Sequence, residues 1–291
     1  MHFVSIDLAS KTAWIKSRAT LGEIYHGTSQ VTSEYGIPIG VGPTVGSGGH
    51  FKGGEYGLLS RKYGTSFDNV LDVHHVDAQG RLLDRASMGE DVFWALRGGG
   101  AGTWGIIVAQ KIQLVSVTPR VTAFCLSKIG KGAISELLYR WQAIAPKAPP
   151  ELFSTVYVAG FTKGNVMDIQ ASFYRQYLGT TVETLALMGK IYPELELSAM
   201  DCKEGKWIEA VAFIAEVEVK DLNSRNNRDK GVKAKSDYVR VAINKEGIKG
   251  ALAKLEENAR KGYFIIDPYG GIMDTIGVGA IAFPHRAGTF L

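Results

Sequence analysis

The sequence predicts an α+β fold, and three observations support this prediction. Short apolar segments with the period of strands alternate with amphipathic helical segments along the 291-residue chain. Lys163-Gly164-Asn165 separates two such apolar segments and has the composition of a turn between antiparallel strands. At Thr118-Pro119 a glycine-rich half gives way to a half with few glycines. We therefore expect two units, residues 1–117 and residues 118–291.

Strands and short helices alternate in the first unit. Thr20 and Glu23 have the spacing of a capping box, which predicts a helix from Leu21 into the low thirties. A second box, Ser87 to Glu90, predicts a helix through Trp94, and a short helix over Glu55–Tyr63 should end at Gly64. The predicted strands are Phe3–Leu8, Ala13–Ser17, Val70–Val76, Arg81–Asp84 and Trp104–Val115, the third and fourth flanking the turn Asp77-Ala78-Gln79-Gly80.

The second unit has longer amphipathic helices. From Ile134 to Ile144 the apolar residues fall on one helical face, and the same period recurs near the C-terminus. The predicted helices contain Ile134–Ile144, Val182–Ile191 and Lys245–Arg260, with another near Trp207; the predicted strands are Phe153–Phe161, Val166–Tyr174, Leu195–Met200 and Tyr263–Asp267.

The composition is that of an ordinary folded protein. With 45% hydrophobic residues, 21% charged residues and a net charge of +4, the chain lies in the globular range. Its uncharged apolar stretches fall far short of the roughly 20 residues that a membrane span needs. The densest basic segment, Arg225 to Arg240, has six cations diluted by Asp229 and Asp237, which favours a solvated loop over a nucleic-acid surface. We therefore expect neither a membrane nor a nucleic-acid partner.

Two cysteines, Cys125 and Cys202, are too few for a disulfide framework or a four-cysteine metal site. We assign no metal ligand. Met1 to Asp7 has neither the basic start nor the apolar run of a signal peptide, and the localisation stays open.

Glycine is concentrated in one stretch of the first unit. Nine of the 25 positions from Gly40 to Gly64 are glycine, whereas 35 glycines spread evenly over 291 positions would give three. Glycine lets the backbone approach a flat or charged ligand closely, so this stretch is a candidate cofactor site; a turn-rich edge is the alternative. Its spacing is neither that of a dinucleotide-binding G-x-G-x-x-G nor that of a phosphate loop. His50, at the end of the densest part, is either a catalytic group or a hydrogen-bonded polar side chain.

Several segments occur in the order found in plant berberine-bridge-enzyme-like flavoproteins, and the chain resembles this family over essentially its whole length. These segments are Ala19 to Tyr25, Pro43 to His50, Tyr63-Gly64, Asp68-Asn69-Val70, Ser87 to Gly100, Lys235 to Val239, Pro268-Tyr269-Gly270-Gly271 and Phe283 to Gly288.

The resemblance implies an FAD-binding fold of the PCMH type, which is that of the vanillyl-alcohol-oxidase superfamily. Residues 1–117 would form the second lobe of the FAD-binding domain, and residues 118–291 a C-terminally incomplete substrate domain with an antiparallel sheet flanked by helices. The implied function is FAD-dependent oxidation of an alcohol, sugar, monolignol or alkaloid-like small molecule by hydride transfer to flavin, with oxygen or another acceptor. The alternative is a truncated, non-catalytic remnant or binding module. Family members are usually secreted, in the cell wall or vacuolar.

The resemblance also implies site residues. Val45 should border the flavin face where oxygen arrives, and Tyr269 is a candidate for the substrate pocket, with a half-buried structural tyrosine as the alternative. No catalytic residue is assigned. The implied cofactor contacts are Gly40, Val41, Gly42, Pro43, Thr44, Val45, Gly46, Gly48, Gly49 and His50, together with Gly105, Ile106 and Ile107 at the adenosine end.

The chain departs from the family pattern at three positions. Gly42 stands where the family usually has a cysteine that bonds the flavin, so FAD would be non-covalent at this position. Arg18 and Glu55 stand where the family has glycines, and side chains there are expected to interfere with tight FAD binding. The family's histidine-bearing flavin loop and its C-terminal asparagine-tyrosine-arginine motif have no counterpart in this sequence. We therefore expect the 291-residue chain alone to be inactive and not to retain FAD.

Overall fold

A computed structural model describes residues 4–53, 55–163, 166–226, 233–257 and 262–291. In these ranges the chain alternates strands and helices, as predicted. The strands are β1 (Val4–Asp7), β2 (Thr12–Lys16), β3 (Tyr35–Gly36), β4 (Val70–Val76), β5 (Leu82–Leu83), β6 (Ile106–Gln113), β7 (Val115–Ser116), β8 (Val121–Ile129), β9 (Leu152–Lys163), β10 (Val166–Tyr177), β11 (Cys202–Gly205) and β12 (Tyr263–Ile266). The helices are α1 (Leu21–Ser29), α2 (Ser47–His50), α3 (Ser60–Tyr63), α4 (Arg85–Met88), α5 (Glu90–Leu96), α6 (Lys131–Ile144), α7 (Thr181–Ile191), α8 (Trp207–Ile214) and α9 (Lys245–Glu257).

The first sheet has the strand order β1-β2-β6-β4-β5, and every neighbouring pair is antiparallel. Helix α1 packs against β1 and begins as predicted. The Thr20 hydroxyl accepts from the Glu23 N–H at 3.3 Å, and the Glu23 carboxylate accepts from the Thr20 N–H at 2.9 Å. The capping box is therefore confirmed, and it fixes the direction in which the chain enters α1.

The second sheet has the order β11-β8-β10-β9-β12 and is also antiparallel throughout. The predicted hairpin is confirmed, because Val166 pairs with Lys163 and the ladder continues to Tyr177 and Leu152. Gly164 and Asn165 of its predicted turn lie outside the described residues. Helices α6, α7 and α9 cover one face of this sheet, and their buried residues include Ile134, Leu138, Trp141, Met188, Ile248, Leu252 and Leu255.

Three predictions about elements are wrong in part or in full, although the helix predicted through Trp94 is confirmed as α5 (Glu90–Leu96). The helix predicted over Glu55–Tyr63 is reduced to α3, because Glu55 turns inward to a buried polar site. The Ser87–Glu90 box does not form: Ser87 bonds Asp84, the actual cap of α4, and the Glu90 carboxylate bonds Arg85 at 2.7 Å. Gly89 lies at φ +83° and separates α4 from α5.

The third wrong element is the strand over Leu195–Met200. Two short 3₁₀ turns, Pro193–Leu195 and Ala199–Asp201, occupy this segment instead. Pro193 lacks an N–H for a ladder, and Asp201 accepts from the Ser198 N–H at 2.9 Å, so local turn chemistry prevails over the apolar pattern.

The two sheets meet through a shared core. The last strand residue of the first sheet is Gln113 and the second sheet begins at Val121, on either side of the predicted boundary. However, the core of the first sheet also contains Trp207, Tyr269 and Phe283 from the second unit. The division at residue 117 therefore stays a prediction.

Arg61 joins the units directly. Its guanidinium is buried and donates to the carbonyls of Pro146 (3.0 Å), Ala148 (2.7 Å), Pro149 (3.2 Å), Leu152 (2.7 Å) and Tyr269 (3.2 Å). None of the described helices has the length and apolar character that crossing a bilayer requires. The described residues also contain no cluster of three or more potential metal-ligating side chains.

Candidate functional site

The glycine-rich loop, Gly40 to His50, runs antiparallel to the start of α1. The N–H groups of Leu21 and Gly22 donate to the carbonyls of Val45 and Pro43, both at 2.9 Å. The Tyr25 hydroxyl, buried under the loop, donates to the carbonyls of Ile39 at 2.8 Å and Gly40 at 3.0 Å. Burial raises the pKa of Tyr25 well above its usual value, and the nearby Glu55 carboxylate raises it further, so this hydroxyl keeps its proton. The α1 capping box thus positions the loop as well as the helix.

One surface of the loop is open to a ligand. Val45 is 41% exposed, and Gly42, Gly46 and Gly49 are exposed beside it. A Cβ added at Gly46 or Gly49 would meet no atom within 4 Å, so the space over both backbones is free. Within the described part of the chain, neither of their N–H groups donates to a backbone acceptor. This surface has room for a flat ligand that accepts hydrogen bonds, and the flavin contacts of these residues stay a prediction.

Gly48 is different, because it faces inward. Its N–H donates to the Ser17 carbonyl at 3.1 Å, and a Cβ there would lie 2.8 Å from that oxygen. The amide of Gly48 is therefore committed to the protein. A larger residue at position 48 would collide with the Ser17 carbonyl, so glycine is required there. While the Gly48 N–H donates to Ser17, the predicted ligand contact from Gly48 cannot use this N–H.

Ser17 also joins the loop to the second predicted segment. Its hydroxyl donates to the Ile107 carbonyl at 2.7 Å, and its N–H donates to the Val108 carbonyl at 3.0 Å. The loop and the Gly105–Ile107 segment therefore lie on either side of one residue. Nothing in the glycine pattern indicated that Ser17 would connect them.

The Gly105–Ile107 segment begins the central strand β6. Gly105 lies at φ +133°, and a Cβ there would collide with the Val76 carbonyl and the His75 ring. Ile107 points into the core, whereas Ile106 is 64% exposed on the opposite face. Burial lowers the pKa of His75; Asp77 opposes this shift and Lys52, which follows the loop, adds to it. The side chain of Ile107 is therefore part of the core and that of Ile106 faces solvent, and main-chain contacts of this segment with the adenosine end stay a prediction.

The residue that departs from the family pattern at position 55 is accommodated without a clash. Glu55 is only 2% exposed, and its carboxylate accepts from the Gly40 N–H at 2.8 Å and from the Ser66 hydroxyl at 2.7 Å. It also contacts Nε2 of His50. Glu55 thus ties the two ends of the loop together, and its expected interference with tight FAD binding stays a prediction. The other departure, Arg18, is exposed, and its carbonyl accepts from Arg225 at 3.0 Å. Residues 227–232 of the basic segment lie outside the described residues.

Tyr269 lies in a buried aromatic cluster. It is 5% exposed, stacks on Tyr56 at 5.3 Å between ring centroids and meets Tyr238 edge to face at 5.9 Å. Burial, with Tyr238 adding to the effect, raises the pKa of its hydroxyl far above the usual range. This placement favours the structural alternative, and a substrate-pocket role for Tyr269 stays a prediction. A cavity of about 170 Å³ lies elsewhere, between α1 and α8 near Trp207, and no candidate cofactor residue lines it.

The outer face of the second sheet, opposite its helices, is rich in hydroxyl groups. Tyr157 and Tyr263 stack at 4.9 Å, and the Ser127 and Ser172 hydroxyls lie 2.9 Å apart on adjacent strands. The Tyr174 hydroxyl donates to the carboxylate of Glu216. These residues were not singled out from the sequence, although a two-residue period in β10 could have indicated a polar face.

Comparison with known proteins identifies a family model and several proteins that are similar to this chain. A family model described as FAD binding domain matches residues 1–85. Berberine bridge enzyme-like D-1 from Nicotiana tabacum is 46% identical over 295 residues, which cover 98% of this chain and 52% of that protein. The chain thus spans about half the length of this relative.

Solved structures agree with the sequence comparison. Berberine bridge enzyme from Eschscholzia californica superposes with a TM-score of 0.94 at 37% identity, over 99% of this chain and 57% of that one. The Bermuda grass isoallergen BG60 superposes with a TM-score of 0.90 at 42% identity, over 100% of this chain and 59% of that one. The predicted α+β fold with FAD-binding architecture of the PCMH type is therefore confirmed.

Proposed function

We propose that the chain, whose sequence and fold match those of berberine bridge enzyme-like proteins, forms the flavin-facing loop and the substrate-facing sheet of an FAD-dependent oxidoreductase. The bound FAD would supply a hydride acceptor for an alcohol, sugar, monolignol or alkaloid-like substrate, with oxygen or another molecule as the final acceptor. The observation that carries this proposal is the Gly40–His50 loop, whose open glycine surface lies one residue, Ser17, away from the Gly105–Ile107 segment.

The loop would hold the cofactor mainly through its backbone. Gly46 and Gly49 leave room for a flat ring system and offer N–H groups without backbone acceptors, and Thr44 lies next to them. Val45 would border the face that oxygen approaches, where its modest volume leaves space. Because position 42 has no side chain, a thioether cannot form there and binding at this point would be non-covalent.

The outer face of the second sheet would orient the substrate. Stacked tyrosines suit an aromatic or sugar ring, and the hydroxyls of Ser127, Ser172 and Tyr174 suit a substrate hydroxyl. Both substrate classes occur among solved relatives: one berberine bridge enzyme variant was solved in complex with (S)-reticuline, and Phl p 4 is described as a grass pollen allergen with glucose dehydrogenase activity. The proposal for this chain covers both aromatic and sugar substrates.

Titration of the purified 291-residue chain with FAD tests the proposal. We expect weak, reversible binding that quenches flavin fluorescence, weakened at least tenfold, about 1.4 kcal/mol, by Gly46→Ala or Gly49→Ala. Each added methyl group would enter the space assigned to the ring system. Gly189→Ala in α7 is the matched control, since a Cβ there also meets nothing within 4 Å.

Two results would contradict the proposal. Absence of binding at millimolar FAD would favour the non-catalytic remnant. An equal loss of affinity in the Gly189→Ala control would mean that the loop has no particular part in binding.

A further inference from the structure

Glu55 brings a carboxylate into the interior of the glycine-rich segment. Only 2% of the residue is exposed, and its three polar neighbours are the Gly40 N–H, the Ser66 hydroxyl and the His50 ring. The two oxygens are divided between them, with Oε2 accepting from Ser66 and Oε1 facing Gly40 and His50. The carboxylate is thus fully engaged and holds both ends of the loop.

His50 is the one charged or titratable partner that contacts this carboxylate within the described ranges. No lysine or arginine there forms an ion pair with Glu55. Tyr25 lies nearby, but its hydroxyl donates to two carbonyls and is not available to Glu55. A buried carboxylate is stabilised by hydrogen-bond donors and by positive charge; besides the Gly40 N–H and the Ser66 hydroxyl, the His50 ring is the described contact that can supply either.

The geometry decides which ring nitrogen carries the proton. Nε2 of His50 and Oε1 of Glu55 are in contact, and two lone pairs facing each other would repel. The Gly40 N–H is 2.8 Å from Oε1 and 3.3 Å from Nε2, so the carboxylate is its acceptor. Nε2 therefore acts as a donor and holds its proton against Glu55.

We infer that Glu55 is a positioning residue that keeps the proton of His50 on Nε2 and leaves Nδ1 as the ring nitrogen available to a bound molecule. Nδ1 makes no hydrogen bond within the described part of the chain, and the side chain of His50 is 23% exposed. With Nε2 occupied, any proton that the ring exchanges with a bound molecule passes through Nδ1. The identity of that molecule as a flavin rests on the proposed function; the arrangement of the ring does not.

NMR of the cofactor-free 291-residue chain, labelled with ¹⁵N-histidine, tests the inference. Long-range ¹H–¹⁵N spectra distinguish Nε2–H from Nδ1–H rings, and His50→Asn identifies the signal among the six histidines of the sequence. We expect a single Nε2–H form for His50, and loss of this preference in Glu55→Ala. Glu151→Ala, which removes a carboxylate paired with Lys62 at 3.3 Å, should leave the His50 signal unchanged. An unchanged His50 form in Glu55→Ala would overturn the inference.

A double-mutant cycle keeps the inference testable if Glu55→Ala does not fold. The four proteins are the original chain, Glu55→Gln, His50→Gln and the double variant, compared by urea denaturation. The destabilisation caused by Glu55→Gln should be markedly smaller when His50 is already replaced, and additive effects would overturn the pairing. Both measurements use protein without FAD. A failed FAD titration beside a coupled pair would therefore count against the proposed function alone.

Discussion

Among single residues, Arg61 has the most demanding environment. Within the described residues this buried guanidinium donates to five carbonyls and forms no ion pair with a carboxylate, so hydrogen bonds are its direct contacts. Burial lowers the pKa of Arg61, but nearby Glu151 and Asp274 oppose the shift. The side chain therefore stays charged and acts as a structural connector between the units.

Arg61→Met is expected to destabilise the protein by about 3–5 kcal/mol. Methionine roughly keeps the shape of the arginine side chain, but the five carbonyls lose the guanidinium N–H groups that donate to them. Urea denaturation gives the free energy of unfolding. Arg81→Met, which removes an exposed pair with Asp77 at 2.7 Å, should change it by less than about 1 kcal/mol. Equal effects of the two substitutions would mean that the carbonyl contacts contribute little.

Asp267 gives a pH dependence at the same scale. Burial raises the pKa of Asp267, and a hydrogen bond from Thr155 only partly opposes this. Asp267 has its ordinary pKa, about 4, in the unfolded chain and a higher pKa in the folded protein. Between these two values the folded protein holds a proton that the unfolded chain has lost, so the contribution of Asp267 to stability is lost as the pH rises above about 4. Asp267→Asn should therefore flatten the fall in stability that begins above about pH 4.

Asp7→Asn is the control of opposite sign. The Ser10 hydroxyl and two backbone N–H groups lower the pKa of Asp7, so this carboxylate stabilises the fold more as the pH rises. Unfolding curves collected across the pH range would contradict both assignments if the two variants changed the profile in the same direction.

At the scale of elements, the sequence predicted best where one local signal acts alone. The α1 capping box and the turn end of the β9–β10 hairpin are examples, because Thr20 bonds Glu23 and Val166 pairs with Lys163, three residues apart in each case. Predictions failed where another partner prevails: Glu90 bonds Arg85, five residues earlier, instead of capping a helix, and Glu55 turns to Gly40, 15 residues earlier. The family resemblance located the cofactor loop, but Ser17 and Ser66 entered the site only through contacts that residue spacing does not encode.

The α1 cap is expected to matter for the site as well as for the helix. Thr20→Ala should destabilise the protein by about 1 kcal/mol and also weaken FAD binding, because Leu21 and Gly22 carry the loop. Thr180→Ala removes the matching cap of α7, where the hydroxyl accepts from Glu183 at 3.3 Å, and should cost similar stability with no effect on FAD. Equal losses of FAD affinity would show that the cap acts through general stability.

At the scale of the whole molecule, an apolar strip on the first sheet remains exposed. Ile106 and Val108 alternate with buried Ile107 and face solvent beside Trp104. Exposed apolar residues on a sheet favour association with other surfaces. We therefore expect the 291-residue chain, expressed alone, to be poorly soluble. Because we also expect it not to retain FAD, it should be colourless and inactive.

Ile106→Thr should raise the soluble yield, because it keeps the β-branched shape and removes apolar area. Leu82→Thr, at another exposed strand position, serves as the control and should have a smaller effect. Size-exclusion chromatography and the visible absorbance of flavin give the readouts. A yellow, monomeric preparation of the original chain that oxidises a sugar or an aromatic alcohol would contradict the expectation and would mean that these residues suffice for the cofactor.

The shared core also sets an order of events during synthesis. The core of the first sheet is closed by Trp207, Leu222, Tyr269 and Phe283, which leave the ribosome long after the last strand of that sheet. We therefore expect residues 1–117 to complete their core only after the second sheet has been synthesised, and their apolar surface to stay exposed until then. A chain released before Phe283 would lack the end of the second unit and, with it, part of the core of the first sheet, so early termination should damage both units.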